Sequence, residues 1–360
     1  MKRANYQIYY MEFQKLYQMP VFYVLVLMSI AFNIYIFWDT KGYQLKEIQT
    51  NIRNMKEQPE TYEEEYGYDY YDGLEYDTIA DYAKREKQFD VFSESLIHKN
   101  YEILSQRVKE MSEEERNSIS FTGANKLHIF LFGIFMKALI VEGILLIVVT
   151  VLYSMHFEEY RQTEELVLVS KVGDHIYHVK LLVAGLFALL LTAIVMIISL
   201  LVYFCLIDYS SVWDSFVSSN YNAERRVVND LRLVFYPFVT WVPMTIREYF
   251  FSVLAIIGLI FIFTILISGF FARCQKNSIV ALAVIGTLST ILYFMGNEIV
   301  VPNMLDYVLK CNPVHLITKM GYWFMDYAAG DSYPAYEIVT MLIWNGAAIT
   351  AYRKKGFHNL

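Results

Sequence analysis

The chain has 360 residues, 56% of them hydrophobic and 17% aromatic, with a formal net charge of -7 and a mean hydropathy of +0.32. That composition belongs to polytopic membrane proteins rather than soluble domains, and the acidic balance removes the basic face that nucleic-acid binding requires. The 3 cysteines, Cys205, Cys274 and Cys311, show no paired spacing, so neither a zinc site nor a disulfide framework is expected. A Cys205–Cys311 bridge stays open should both lie on the outer face, although nothing in the spacing demands it.

Residues 1–19 set Lys2, Arg3 and Lys15 among Tyr6, Ile8, Tyr9, Tyr10, Phe13, Leu16 and Tyr17. The mixture reads either as a helix lying in the membrane interface or as the first turns of the span that follows. No cleavable signal peptide is expected, because the first apolar run ends in Trp38-Asp39 without a small-residue cleavage site. Pro20 suits a first helical turn, and residues 21–38 form the first span, closed by Tyr35 and Trp38 at an aromatic belt.

Residues 39–126 are a polar insertion. Leu45, Ile48, Ile52 and Met55 recur at helical spacing, as do Ile97, Tyr101, Leu104 and Val108. Between them, residues 61–77 (TYEEEYGYDYYDGLEYD) are acidic, tyrosine-rich and broken by glycine. Such a tip either captures a cationic ligand by charge and ring faces or is a solvated loop between two helical stalks; the loop is the simpler reading.

Further spans are expected at 127–155, 181–207, 249–272, 278–296 and 335–352, each long enough to approach the roughly 20 apolar residues that a bilayer crossing needs. Residues 208–248 are aromatic and mixed, as suits segments pressed into the interface. Residues 298–334 hold two short semi-apolar pieces around Asn312-Pro313, too short to cross, so a re-entrant or interfacial hairpin fits better. The expected fold is an all-α integral membrane protein. It has six transmembrane helices and a large helical extracellular insertion between the first and the second. Its parts are 1–38, the insertion 39–126, and a five-span core 127–360 with a charged island at 156–180. With six spans, the basic residues of the start, the island (Arg161, Lys171, Lys180), the 273–277 link (Arg273, Lys276) and the tail (Arg353, Lys354, Lys355) share one side. The positive-inside rule makes that side cytoplasmic, with both termini inside.

Most catalytic chemistry is absent. There is no G-x-x-x-x-G-K-[ST] phosphate loop, no H-E-x-x-H and no G-x-S-x-G, so no enzymatic role is expected. Glu158-Glu159 with Arg161 departs from the E-E-x-x-x-R motif of intramembrane prenyl-protein proteases, since the arginine stands two residues on rather than four. Asp174, His175 and His178 would need a further ligand to hold a metal, and none is expected to bind. Lys137 and Glu142 sit inside the second span, where a central charge costs at least about 2.5–3.5 kcal/mol, so both should face protein or water. Five residues apart, they lie about 140° apart on a helix and do not pair. Glu142 either lines a path or makes one buried polar contact; Lys137 is expected to snorkel.

The island opens with Glu158, Glu159, Glu164 and Glu165, continues through an apolar run from Leu166 to Val169, then Ser170, Lys171 and a helix-stopping Gly173, and ends at Lys180. A short amphipathic helix held between two spans is a knob that a soluble partner can grip. Glu159, the 166–170 run, Gly173 and Lys180 resemble the coupling region of ABC-type exporter permeases of the second class. There an acidic residue begins the loop, a small apolar helix follows, and a lysine opens the next span. The tail is similar too, with Asn312-Pro313 before a short hydrophobic piece and a last span ending in Tyr352-Arg353-Lys354-Lys355. The resemblance covers about 1–38 and 127–360. The large insertion is commoner in the subfamily resembling bacterial peptide, antibiotic and sodium exporters. The resemblance implies a permease of the bacterial cell membrane that dimerises and exports a hydrophobic or amphipathic cargo. Contact with a separate ATP-binding subunit, which would hold ATP and Mg, would come through Glu158, Glu159, Glu164, Glu165, Leu166, Val169, Lys171 and Gly173. The main alternative is a non-transporting sensor or scaffold with a ligand-binding outer region.

Overall fold

The structure is a computed structural model that describes residues 2–39, 42–58, 91–117, 124–162, 175–210, 212–220, 225–229, 232–235, 239–299, 304–325 and 333–357. Helices dominate it. Among the described residues five are long and apolar enough to cross a membrane: Pro20–Trp38, Asn125–Met155, Ile176–Leu206, Ile246–Cys274 and Ser278–Asn297. A helix pairs the backbone N–H and C=O groups of its interior within itself, which is why apolar runs of this length adopt it where water is excluded.

In chain order, α1 (Lys2–Tyr17) is separated by a break at Gln18 and Met19 from α2 (Pro20–Asp39), which begins at its proline. Helix α1 is therefore a unit of its own rather than the first turns of α2. Helices α3 (Gly42–Glu57), α4 (Val91–Glu110) and α5 (Glu113–Asn117) come from the insertion. The second span is composite: α6 (Ala124–His128), a π-helical stretch Ile129–Phe135, then α7 (Met136–Met155). In the π stretch the Met136 N–H reaches back five residues to the Leu131 carbonyl. After α8 (Phe157–Tyr160), α9 (His175–Leu206) runs 32 residues, about 48 Å at 1.5 Å per residue, longer than a roughly 30 Å hydrocarbon core.

Helix α10 (Val217–Asn220) precedes a two-stranded antiparallel ribbon, β1 (Arg225–Asn229) with β2 (Arg232–Phe235). The ribbon is a departure from helix that apolar periodicity in 208–248 does not signal. Helix α11 (Ile246–Cys274) starts with a capping box, the Thr245 hydroxyl accepting from the Glu248 N–H while the Glu248 carboxylate accepts from the Thr245 N–H. Asn277 caps α12 (Ser278–Asn297). Two short helices follow, α13 (Met304–Lys310) and α14 (Pro313–Thr318), the second capped by Asn312 with Pro313 in its first turn. The last helix, α15 (Tyr336–Phe357), is 22 residues long but less apolar, carrying Glu337, Asn345, Arg353, Lys354 and Lys355.

Helix α7 is the centre of the bundle: α2, α9, α11 and α12 all pack on it, and α15 packs along α11. Helices α11 and α15 run the same way. At one end the Arg273 guanidinium lies 5.3 Å from the Tyr352 ring and 5.5 Å from the Tyr177 ring. At the other, the Glu337 carboxylate accepts from the Phe324 N–H at 2.8 Å, and the Phe324 ring lies 6.0 Å from that of Tyr249. The insertion helices gather at this second end: Gln49 donates to the Asp208 carbonyl at 2.5 Å, and buried Arg107 pairs with Glu115, which also accepts from Ser218 at 3.0 Å.

Close packing of α7 depends on Gly143. A Cβ there would stand 2.6 Å from the Phe261 ring of α11 and 2.7 Å from Thr192 of α9, with no slack in a ring wedged between helices. A Cβ at Gly286 of α12 would meet nothing within 4 Å. Gly143→Ala should therefore destabilise the detergent-solubilised protein by about 1–3 kcal/mol, as overpacked cores do, and Gly286→Ala should not. Thermal unfolding of both variants checks this.

Candidate functional site

The second and third spans are joined at a neck built from the two ends of the 156–180 island. Helix α7 stops at Met155, His156 leaves helical geometry, α8 makes a single turn, and Gln162 adopts a left-handed φ of 56°. On the far side of the island, α9 brings Lys180 down beside that turn. The Glu158 carboxylate is the meeting point. One oxygen accepts from Lys15 of α1 at 2.8 Å, the other from Lys180 of α9, and Lys15 also donates to Glu12 at 2.6 Å. Glu158 and Lys180 are only 6% and 3% exposed, and Glu12 is 4% exposed. Lys15 is part-exposed at the edge, and two lysines against two carboxylates leave the cluster without net formal charge. Each member needs the others, because a buried ion that loses its partner keeps its desolvation penalty and little else.

Further contacts tie the neck to the link between α11 and α12. The two ring nitrogens of His156 lie 3.0 Å from the Leu152 carbonyl oxygen and 2.9 Å from that of Gln275. Tyr160 hydrogen-bonds the Ser278 hydroxyl. Lys15 and Arg161 stand over the Phe157 ring at 5.2 and 5.7 Å. The neck thus joins α1, α7, α9, α11 and α12. Such an arrangement ties the base of the island to several spans at once. Among the described residues no group of His, Cys, Asp and Glu is placed to hold a metal ion.

The structure corrects one expected contact. Glu158, read from the sequence as part of a partner-facing surface, points inward and has both oxygens occupied by lysines, because the turn after His156 aims it at α9. Glu159 beside it is exposed. Glu164, Glu165, Leu166, Val169, Lys171 and Gly173 lie outside the described residues, as do Asp174 and the acidic stretch 61–77.

The two charges within the second span find separate partners, as their angular offset requires. Lys137 does not snorkel; it donates to the Thr318 carbonyl at the end of α14, at 2.8 Å. Glu142 accepts from Asn33 of α2 at 2.8 Å, and Asn33 is 2% exposed. Sequence reasoning passed over Lys15, Glu12, His156, Asn33 and Thr318. Asn33, a lone amide in an apolar run, was the available signal for a partner to Glu142. Nothing local marks Lys15 as the partner of a residue 143 positions away. Cys205, Cys274 and Cys311 are all free thiols. Comparison with known proteins yields no match: no family model fits the chain, no curated protein is similar to it, and no solved structure matches its fold.

Glu158→Gln leaves two lysines facing a neutral amide in a buried site and should lower stability by about 3–5 kcal/mol. Lys180→Met alone should also destabilise, and the pair Glu158→Gln/Lys180→Met should lose less than the sum of the two. An unfolding double-mutant cycle in detergent reads this out; additive losses would mean that the two groups do not interact.

Proposed function

We propose that this chain is the membrane-spanning permease subunit of an ATP-driven exporter of the ABC type, crossing a bacterial cell membrane six times with both termini in the cytoplasm. The braced neck carries the reading. A loop that receives force from a separate motor must be joined stiffly to the helices it moves, and the Glu12–Lys15–Glu158–Lys180 cluster is such a joint. The sequence holds no phosphate-binding loop, so the motor is a second subunit that binds ATP and Mg. That α15 runs parallel to α11 supports a sixth crossing, since two further passes separate their ends. The basic residues Lys15, Arg161, Arg273, Lys276, Arg353 and Lys354 belong to helix ends and links at the neck, which supports a cytoplasmic assignment for that end.

In this reading the permease dimerises, each half receiving one ATP-binding subunit at the island. Nucleotide-driven closure of those subunits shifts the island, and the neck tilts α7 and α9 together to open an outward path. Coupling requires that the island bind one motor state better than the other. The cargo is hydrophobic or amphipathic, a peptide, antibiotic or lipid-like compound, in keeping with the apolar walls of the spans. Exposed Glu159 and the rest of the island make the motor contact, while Glu158 transmits through the neck.

Purification of the tagged chain from its native host should bring down an ATP-binding-cassette subunit whose hydrolysis rises when the permease is present. A sensor or scaffold would bring down none. Glu159→Lys should weaken that stimulation while leaving thermal unfolding unchanged, and Lys171 should react with an impermeant amine reagent in opened cells but not in intact ones. Labelling of Lys171 from outside would overturn the topology.

A further inference from the structure

At the end opposite the neck, the insertion helix α4 stands over α13 and the start of α15, and the gap between them is a cavity of about 480 Å³. That size falls within the roughly 300–1,000 Å³ of small-molecule sites. Leu96 and Ile103 of α4 face Val308 and Cys311 across it, and Tyr333 and Pro334 close one side. Among the described residues that line it, Lys99 is the one with a formal charge. Burial first, and then the neighbouring Cys311 thiol, push the Tyr333 phenol well above its usual range, so it remains neutral.

The cavity is continuous with apolar surface. Val308 forms part of its wall yet is 58% exposed, and Leu305, one turn earlier on α13, is 49% exposed. In a chain whose helices cross a bilayer, exposed aliphatic residues beside a short helix of this kind meet hydrocarbon. A ligand therefore has two chemistries to satisfy: an apolar slot open toward the acyl region, and a single ammonium above it on the insertion helix. We infer that this cavity binds a single-chain anionic amphiphile, with its hydrocarbon tail between α4 and α13 and its anionic head against Lys99. A neutral amphiphile would fill the slot without using the lysine, and a cationic one would meet repulsion there. The insertion then serves as one wall of a lipid-accessible site, a role independent of whether the chain works with a motor.

Cys311 in the wall supplies the reporter. In a Cys205→Ser/Cys274→Ser protein reconstituted in phosphatidylcholine vesicles, the rate of Cys311 alkylation by a maleimide is measured with palmitate, with hexadecylamine and with neither. Palmitate should slow alkylation, and hexadecylamine at the same membrane concentration should not. Lys99→Glu should raise the palmitate concentration needed for half protection about fivefold, the reach of one solvent-exposed ion pair, and should let hexadecylamine protect. Leu96→Trp, which fills the slot from the opposite wall, should remove protection by palmitate. Equal protection by palmitate and hexadecylamine, no protection by either, or full protection in Leu96→Trp would each overturn the assignment. Monodisperse elution and unchanged thermal unfolding identify the variants that retain the fold, and Lys99→Glu, at an exposed position, tests the charge preference without touching the packing.

Discussion

A single carboxylate shared by two lysines holds the neck of this protein together. Glu158 sits where α1, α7 and α9 converge, and its burial makes the pairing obligatory: in a medium less polarisable than water the ions attract strongly, and neither Glu158 nor Lys180 can be solvated alone. The consequence is directional. Helix α1 is clamped to the turn after α7 by Lys15, and the start of α9 is clamped to the same turn by Lys180. Three segments distant in sequence therefore behave as one body at that end. The aromatic contacts of Phe157 and the bonds of His156 and Tyr160 extend it to the link between α11 and α12.

The rest of the bundle is organised around α7, which is why the joint matters. Helix α7 packs on most of the other long helices, with Gly143 allowing Phe261 of α11 and Thr192 of α9 to approach closely. At its opposite end His128 and Phe132, four residues apart, both meet Tyr249. His128 lies 3.2 Å from the Gly321 carbonyl oxygen, and Gly321, at a φ of 102° that strains any side chain, packs so that a Cβ there would stand 3.1 Å from the Gly133 Cα. Helix α7 thus connects the ionic cluster at Glu158 to a second tightly packed contact near the insertion. The two ends are different in kind. One is an ion cluster built from helix termini; the other combines packed aromatic rings with the buried Arg107–Glu115 pair of the insertion.

Two polar groups inside the spans are met by partners on other helices. Lys137 caps the carbonyl end of α14, where the helix leaves acceptors unpaired. Glu142 is matched by Asn33, which draws α2 onto α7 although most of α2 presents apolar side chains to its surroundings. Both contacts are between helices, so each fixes a rotation as well as a distance. A polar residue in an apolar run is thereby a statement about a neighbour that the run itself cannot name.

Much of the architecture was legible because the bilayer imposes a length. Runs of about 20 apolar residues have one economical conformation where backbone groups cannot reach water. The five long apolar helices accordingly fall close to where hydropathy puts them, and caps such as Asn312 and Pro313 mark ends by local chemistry alone. The offset of Lys137 from Glu142 likewise followed from helical geometry. Tertiary structure alone decided the partners: that Glu158 turns inward, that Lys15 and Lys180 meet it, and that Asn33 answers Glu142. These depend on which helix faces meet and on the angle of a single turn, and such relations lie between segments far apart in the chain, where no spacing or periodicity records them.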